Sequence, residues 1–169
     1  AAACALINYR GLDVVATGIL ASRDVTIGQR LDFVRLHAAA KLRLANTFGA
    51  TRASPVIVIG STEALRQLFP GASSYASTIY VPYRSCVIVG PQGHDANILA
   101  HEALHAEIHH RVGHWYRLTR IPTWFDEGLA MQVDFRERYL WSWQSGAVGS
   151  GTVKQWRSRS QFFSGDDEE

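Results

Sequence analysis

The stretch Asp95-Ala96-Asn97-Ile98-Leu99-Ala100-His101-Glu102-Ala103-Leu104-His105-Ala106-Glu107-Ile108-His109-His110-Arg111-Val112-Gly113 decides the reading of this chain. Asp95 to about Val112 reads as a helix, and Gly113 ends it. Just upstream, Thr78–Val81 and Cys86–Val89 are β-rich runs joined through Pro82-Tyr83-Arg84-Ser85. They predict a hairpin, with Pro82 favouring an edge position. A turn at Pro91-Gln92-Gly93 leads from the hairpin into the helix.

Working outward, Val56-Ile57-Val58-Ile59 closed by Gly60 predicts a buried strand. Thr62 to Phe69 predicts a short helix, stopped by Pro70-Gly71. Further upstream, Ile27, Leu31, Val34, Ala38, Leu42 and Ala45 recur every three or four residues. That spacing predicts a long helix buried along this stripe and ended by Gly49. Gly11 to Leu20 stays open between strand and short helix. On the C-terminal side, Thr123 opens another helix after Pro122, with Thr123 and Asp126 spaced as a capping box. The order of helix, strands, helix and helix gives an α+β class. The 169 residues read as one domain. Residues 1–112 would form an N-terminal lobe that includes the central helix, and 113–169 a short C-terminal lobe.

Composition excludes several functions. Hydrophobic residues make up 47% and charged residues 19%, so the chain can build its own core. The formal charge is +2, and the acids include a terminal run, Asp166, Asp167, Glu168 and Glu169. No basic cluster interleaved with aromatics marks a nucleic-acid partner. No window of 18 apolar residues predicts a membrane span. The opening Ala1-Ala2-Ala3-Cys4-Ala5 is similar to the remnant of a cleaved export signal or a lipoprotein anchor site. The expected location is therefore periplasmic or extracellular. There Cys4 and Cys86 can pair; in a reducing compartment they stay free.

The chemistry sits in His101-Glu102-Ala103-Leu104-His105. On a helix, residues four apart project from one face, so two imidazoles can reach one cation, and neutral imidazole suits Zn²⁺. Glu102 lies about 100° around the helix from His101. There it can hold a water beside the metal and accept its proton. A catalytic zinc needs a third protein ligand. A third histidine six residues after His105 is excluded, because that position holds Arg111. Trp124-Phe125-Asp126-Glu127-Gly128-Leu129-Ala130 supplies a glutamate instead, Glu127, on a following helix. Between the two helices the reading expects a loop through Pro122. Gly128 beside the ligand would let the helices approach closely.

These two motifs together resemble the gluzincin metallopeptidases, closest to the branch whose ligand helix reads W-x-x-E-G-x-A, as in the gluzincin aminopeptidases and their small bacterial relatives. The match covers about residues 95 to 133. The resemblance implies Zn²⁺ held by His101, His105 and Glu127, with Glu102 as general base and a peptide or protein as substrate. The preceding helix, strand and hairpin are similar in order to the family's N-terminal lobe, where an edge strand borders the substrate cleft. Three features depart from the family. The Gly-x-Met-Glu-Asn element that grips a free amine in the aminopeptidases is absent, which favours internal cleavage. The thermolysin-like branch supports a ligand histidine with an aspartate four residues after the ligand glutamate, and here that residue is Met131. The oxyanion donor expected after the ligand helix has only Tyr139 as a candidate, with Arg136 and Arg138 as weaker ones. Two readings without peptidase chemistry stay open: an inactive zinc-binding domain that holds a peptide or partner, and an α+β interaction module with no metal.

His109 lies within about 80° of His101 on the helix and could stand behind a ligand or line the cleft, but it and His110 read as solvated helix residues, and His114 as lying past the helix end. Asp126 could orient a ligand but reads as a cap, and Trp124 reads as core packing. Trp141, Trp143 and Trp156 suggest a satellite core or a partner surface.

Overall fold

In a computed structural model that describes residues 11–137, the ambiguous segment at Gly11 is strand. Strand β1 (Leu12–Ala16) turns through Gly18 into β2 (Ile19–Ser22). Gly18 sits at φ 77°, a conformation that strains any residue with a Cβ, so glycine makes this turn.

Helix α1 (Ile27–Phe48) begins at a capping box between Thr26 and Gln29 and ends at Gly49. The helix stands where its spacing predicts, but the predicted face is wrong. Ile27, Leu31 and Leu42 are 76%, 57% and 63% exposed. The buried residues are Phe33, Ala40 and Leu44, on the opposite side. Leu36 and Phe48 pack beside them, half-buried. The helix carries two apolar stripes, and the one with the larger side chain, Phe33, faces the core.

Strand β3 (Val56–Ile59), helix α2 (Thr62–Leu68), strands β4 (Ala76–Val81) and β5 (Arg84–Val89) follow the sequence reading closely. The five strands form one sheet in the order β1-β2-β3-β5-β4. β2, β3 and β5 run parallel, while β1 and β4 are antiparallel edges. Val81 pairs with Arg84, so the hairpin turn is Pro82-Tyr83. Alternate residues of the central strands point to opposite faces, and both faces are covered. Ile57, Ile59, Val87 and Val89 join Phe33, Leu44, Leu99 and Leu104 in one core. Val58 and Ile88 join Leu65 and Phe69 in the other. The class is α+β, with a mixed sheet. Cys86 is buried in β5 and is not a free thiol; Cys4 lies outside the described residues.

Helix α3 (Ala96–Val112) carries the central motif. The Asp95 side chain accepts from the N–H groups of Asn97 and Ile98 at its start, and Gly113, at φ 81°, closes it. The expected loop after Gly113 is instead a short helix, α4 (His114–Arg120). Helix α5 (Thr123–Ala130) then packs back against α3. Its expected capping box does not form. The Pro122 carbonyl accepts from the N–H groups of Phe125 and Asp126, so Thr123 already lies inside the first turn. Gly128 is not needed for close approach either, since a Cβ there would meet nothing within 4 Å. Among the described residues no helix is long and apolar enough to cross a membrane. Arg138, Tyr139, Trp141, Trp143, Trp156 and the acidic run lie outside the described residues.

Candidate metal centre

His101 and His105 lie one turn apart on the buried face of α3, and α5 brings Glu127 against them. All three side chains are buried. His101 Nε2 stands 3.1 Å from His105 Nε2 and 3.3 Å from Glu127 Oε2, and His105 Nε2 stands 3.6 Å from the same oxygen. Donors bonded at about 2.0–2.1 Å to one tetrahedral ion stand roughly 3.3–3.4 Å apart. The three measured separations bracket that value.

The outer face of each ring has its own carboxylate. His101 Nδ1 lies 3.3 Å from Asp134 Oδ2, and His105 Nδ1 lies 3.3 Å from Asp126 Oδ2. A carboxylate facing Nδ1 favours the proton there and leaves the lone pair on Nε2. Two such lone pairs and a carboxylate oxygen then converge on one point. They repel each other unless positive charge sits among them. A metal ion supplies that charge, and this buried group can hold one. Without a metal, protons take its place. Burial works to lower the His105 pKa, but Asp126, Glu127 and Glu102 outweigh it and raise it to about 9. His101 is raised too: burial opposes the shift, while Asp134 and Glu127 drive it.

The supporting carboxylates are each held by an arginine. Arg136 Nε donates to Asp134 Oδ1 at 2.8 Å, and its Nη2 also pairs with Oδ2. Burial would raise the Asp134 pKa, but Arg136 and His101 hold it far below the usual carboxylate range. Arg117 pairs with Asp126. Asp134 is fully buried, seven residues after Glu127. It is the carboxylate that faces His101. Asp126, read from sequence as a cap, faces His105 instead.

Glu102 is buried beside these three side chains, next after His101 in the helix. Thr78 of the edge strand β4 donates to its Oε2 at 2.6 Å. Another expectation changes here. His109 is buried, not solvated: its Nε2 donates to the Val81 carbonyl at 3.0 Å and its ring lies 5.1 Å from Tyr80. His114 begins α4, with its ring edge-on to His109. His110 is exposed, as expected.

Sequence reasoning missed Asp134, Thr78, Arg117 and Tyr80. Comparison of the chain with protein-family models, with curated proteins and with solved structures finds no match in any of the three.

Proposed function

We propose that the chain is a zinc-dependent peptidase of the gluzincin kind, with His101, His105 and Glu127 as ligands and Glu102 as general base. The observation that carries this reading is the convergence of two Nε2 atoms and Oε2 at 3.1–3.6 Å, each imidazole backed by a buried carboxylate. Three protein ligands leave a fourth position for water or substrate. A zinc ion held by these residues would supply polarisation of a scissile carbonyl and a water acidic near neutral pH.

The chain's own residues supply the rest. Glu102 takes a proton from the attacking water and passes it to the leaving amine, so no nucleophilic side chain and no covalent intermediate is needed. Thr78 occupies Oε2, which leaves the other carboxylate oxygen for the proton. β4 is a sheet edge, paired only with β5 among the described strands. A substrate in extended form pairs with its outer side through main-chain hydrogen bonds. The absent amine-gripping element favours cleavage within a chain over removal of N-terminal residues. An export location suits this reading.

The test is elemental analysis together with peptide hydrolysis. Wild type is expected to hold one zinc per chain and to cleave peptides in a chelator-sensitive way. Glu102→Gln should keep the zinc and lose turnover, and Glu127→Ala should lose the zinc. A zinc-loaded protein that cleaves no peptide would be a binding domain. No zinc uptake at all would remove the metal reading.

A further inference from the structure

Helix α4 is poorly explained by its apolar residues. None of its residues is fully buried, and Trp115, Tyr116 and Leu118 are 74%, 58% and 56% exposed. The side chain that goes inward is a cation: Arg117 is only 10% exposed. Burying a guanidinium is costly unless charge and hydrogen bonds compensate. Its compensation lies at the metal centre and at the sheet edge together. Nη2 pairs with Asp126 Oδ2 and donates to the Tyr80 hydroxyl of β4 at 2.8 Å, and the guanidinium lies 3.6 Å over the Tyr80 ring.

Asp126 Oδ2 is also the oxygen that faces His105 Nδ1 at 3.3 Å. Oδ1 has no hydrogen-bond partner. Both contacts of this carboxylate therefore fall on one atom, and displacing Arg117 displaces the atom that faces His105 Nδ1. The arrangement runs Tyr80, Arg117, Asp126, His105, and it joins four elements: β4, α4, α5 and α3. On the His101 side the equivalent cation, Arg136, is two residues from its aspartate and is a local contact. Arg117 instead reaches across from another helix.

We propose that Arg117 is a positioning residue of the metal centre, acting through Asp126 on His105 and anchoring both to the edge strand through Tyr80. The inference rests on the metal-site reading above. It gives α4 a purpose that its exposed apolar surface does not.

The experiment measures Zn²⁺ affinity by chelator competition on folded, metal-free protein, with the unfolding free energy of the same samples recorded in parallel. Wild type, Arg117→Met, Arg117→Lys, Asp126→Asn and the double variant Asp126→Asn/Arg117→Met are compared. Loss of support behind a ligand histidine weakens metal binding by roughly 10- to 100-fold. That loss is expected for Arg117→Met and for Asp126→Asn. Arg117→Lys keeps the charge but not the fork, and should recover part of it. The double variant should bind no more weakly than Asp126→Asn alone, because Arg117 acts through that carboxylate. If Arg117→Met does not fold, Arg117→Lys and the double variant, which removes both buried charges, carry the comparison. Arg117 variants that are less stable yet bind zinc like wild type would overturn the inference and leave the metal centre standing. Additive losses in the double variant would overturn action through Asp126. Failure of wild type to bind zinc would instead overturn the metal reading itself.

Discussion

Thr78 donates a 2.6 Å hydrogen bond to Glu102, so the strand that a substrate would pair with also holds the residue proposed to move the proton. The contact is short and charge-assisted, the stronger kind of side-chain hydrogen bond. Such bonds contribute about 1.5–3 kcal/mol, equivalent to roughly 10- to 100-fold in rate if the contact matters in the transition state. Thr78→Val keeps the shape and loses the donor. Its kcat is expected to fall by roughly that factor with zinc content unchanged, and Thr78→Ser should recover most of it. Wild-type turnover in Thr78→Val would show that Glu102 needs no help from the strand.

The fold was legible where a signal is local, and obscure where it is set by packing. Asp95 and Gly113 bound α3 because caps and positive-φ glycines act over a few residues. The unbroken apolar run Val56-Ile57-Val58-Ile59 marks a strand buried on both faces, and it is one. Within the centre, His101, His105 and Glu127 were legible because helical spacing alone brings the histidines together and Pro122 resets the chain for a second helix. Asp134 was not legible. It follows α5 through an irregular turn, and no sequence spacing fixes where such a turn points. Arg117 was hidden because α4 has exposed aromatic residues where a helix usually buries them. Asp126 fits a capping box by spacing, but the first turn of α5 closes on the Pro122 carbonyl and the carboxylate goes to Arg117.

Asp134 gives a second test of the centre. It is fully buried between His101 and Arg136, and no water can replace it cheaply. Asp134→Asn keeps the volume and removes the charge that orients His101. Zinc affinity is expected to fall by roughly 10- to 100-fold. Chelator competition checks this, and unchanged affinity would mean that His101 is oriented without Asp134.

The inverted face of α1 makes a stability prediction. Phe33 is fully buried, whereas Leu42 is 63% exposed. Phe33→Ala is expected to cost about 3–5 kcal/mol by denaturant unfolding. Leu42→Gln should stay within about 0.5 kcal/mol, as surface substitutions do. The opposite ranking would restore the face that the apolar spacing suggests.

Two histidines outside the centre set a pH dependence. His37 and His94 flank Phe33, with ring centroids at 6.4 and 5.2 Å. Burial lowers the pKa of both below 6.5, and Lys41 lowers His37 further. The unfolded chain therefore takes up protons first as the pH falls. Stability from these two sites is fully present above about pH 6.5 and is lost as the pH drops through the lower folded values. Because the raised His101 and His105 work the other way, the test is the difference: between pH 7.5 and 5 the unfolding free energy is expected to decline more in the parent chain than in His37→Gln/His94→Gln. The comparison should be made on the Glu127→Ala background, so that metal release does not add its own pH dependence. An equal decline in the double histidine variant would place the acid sensitivity elsewhere.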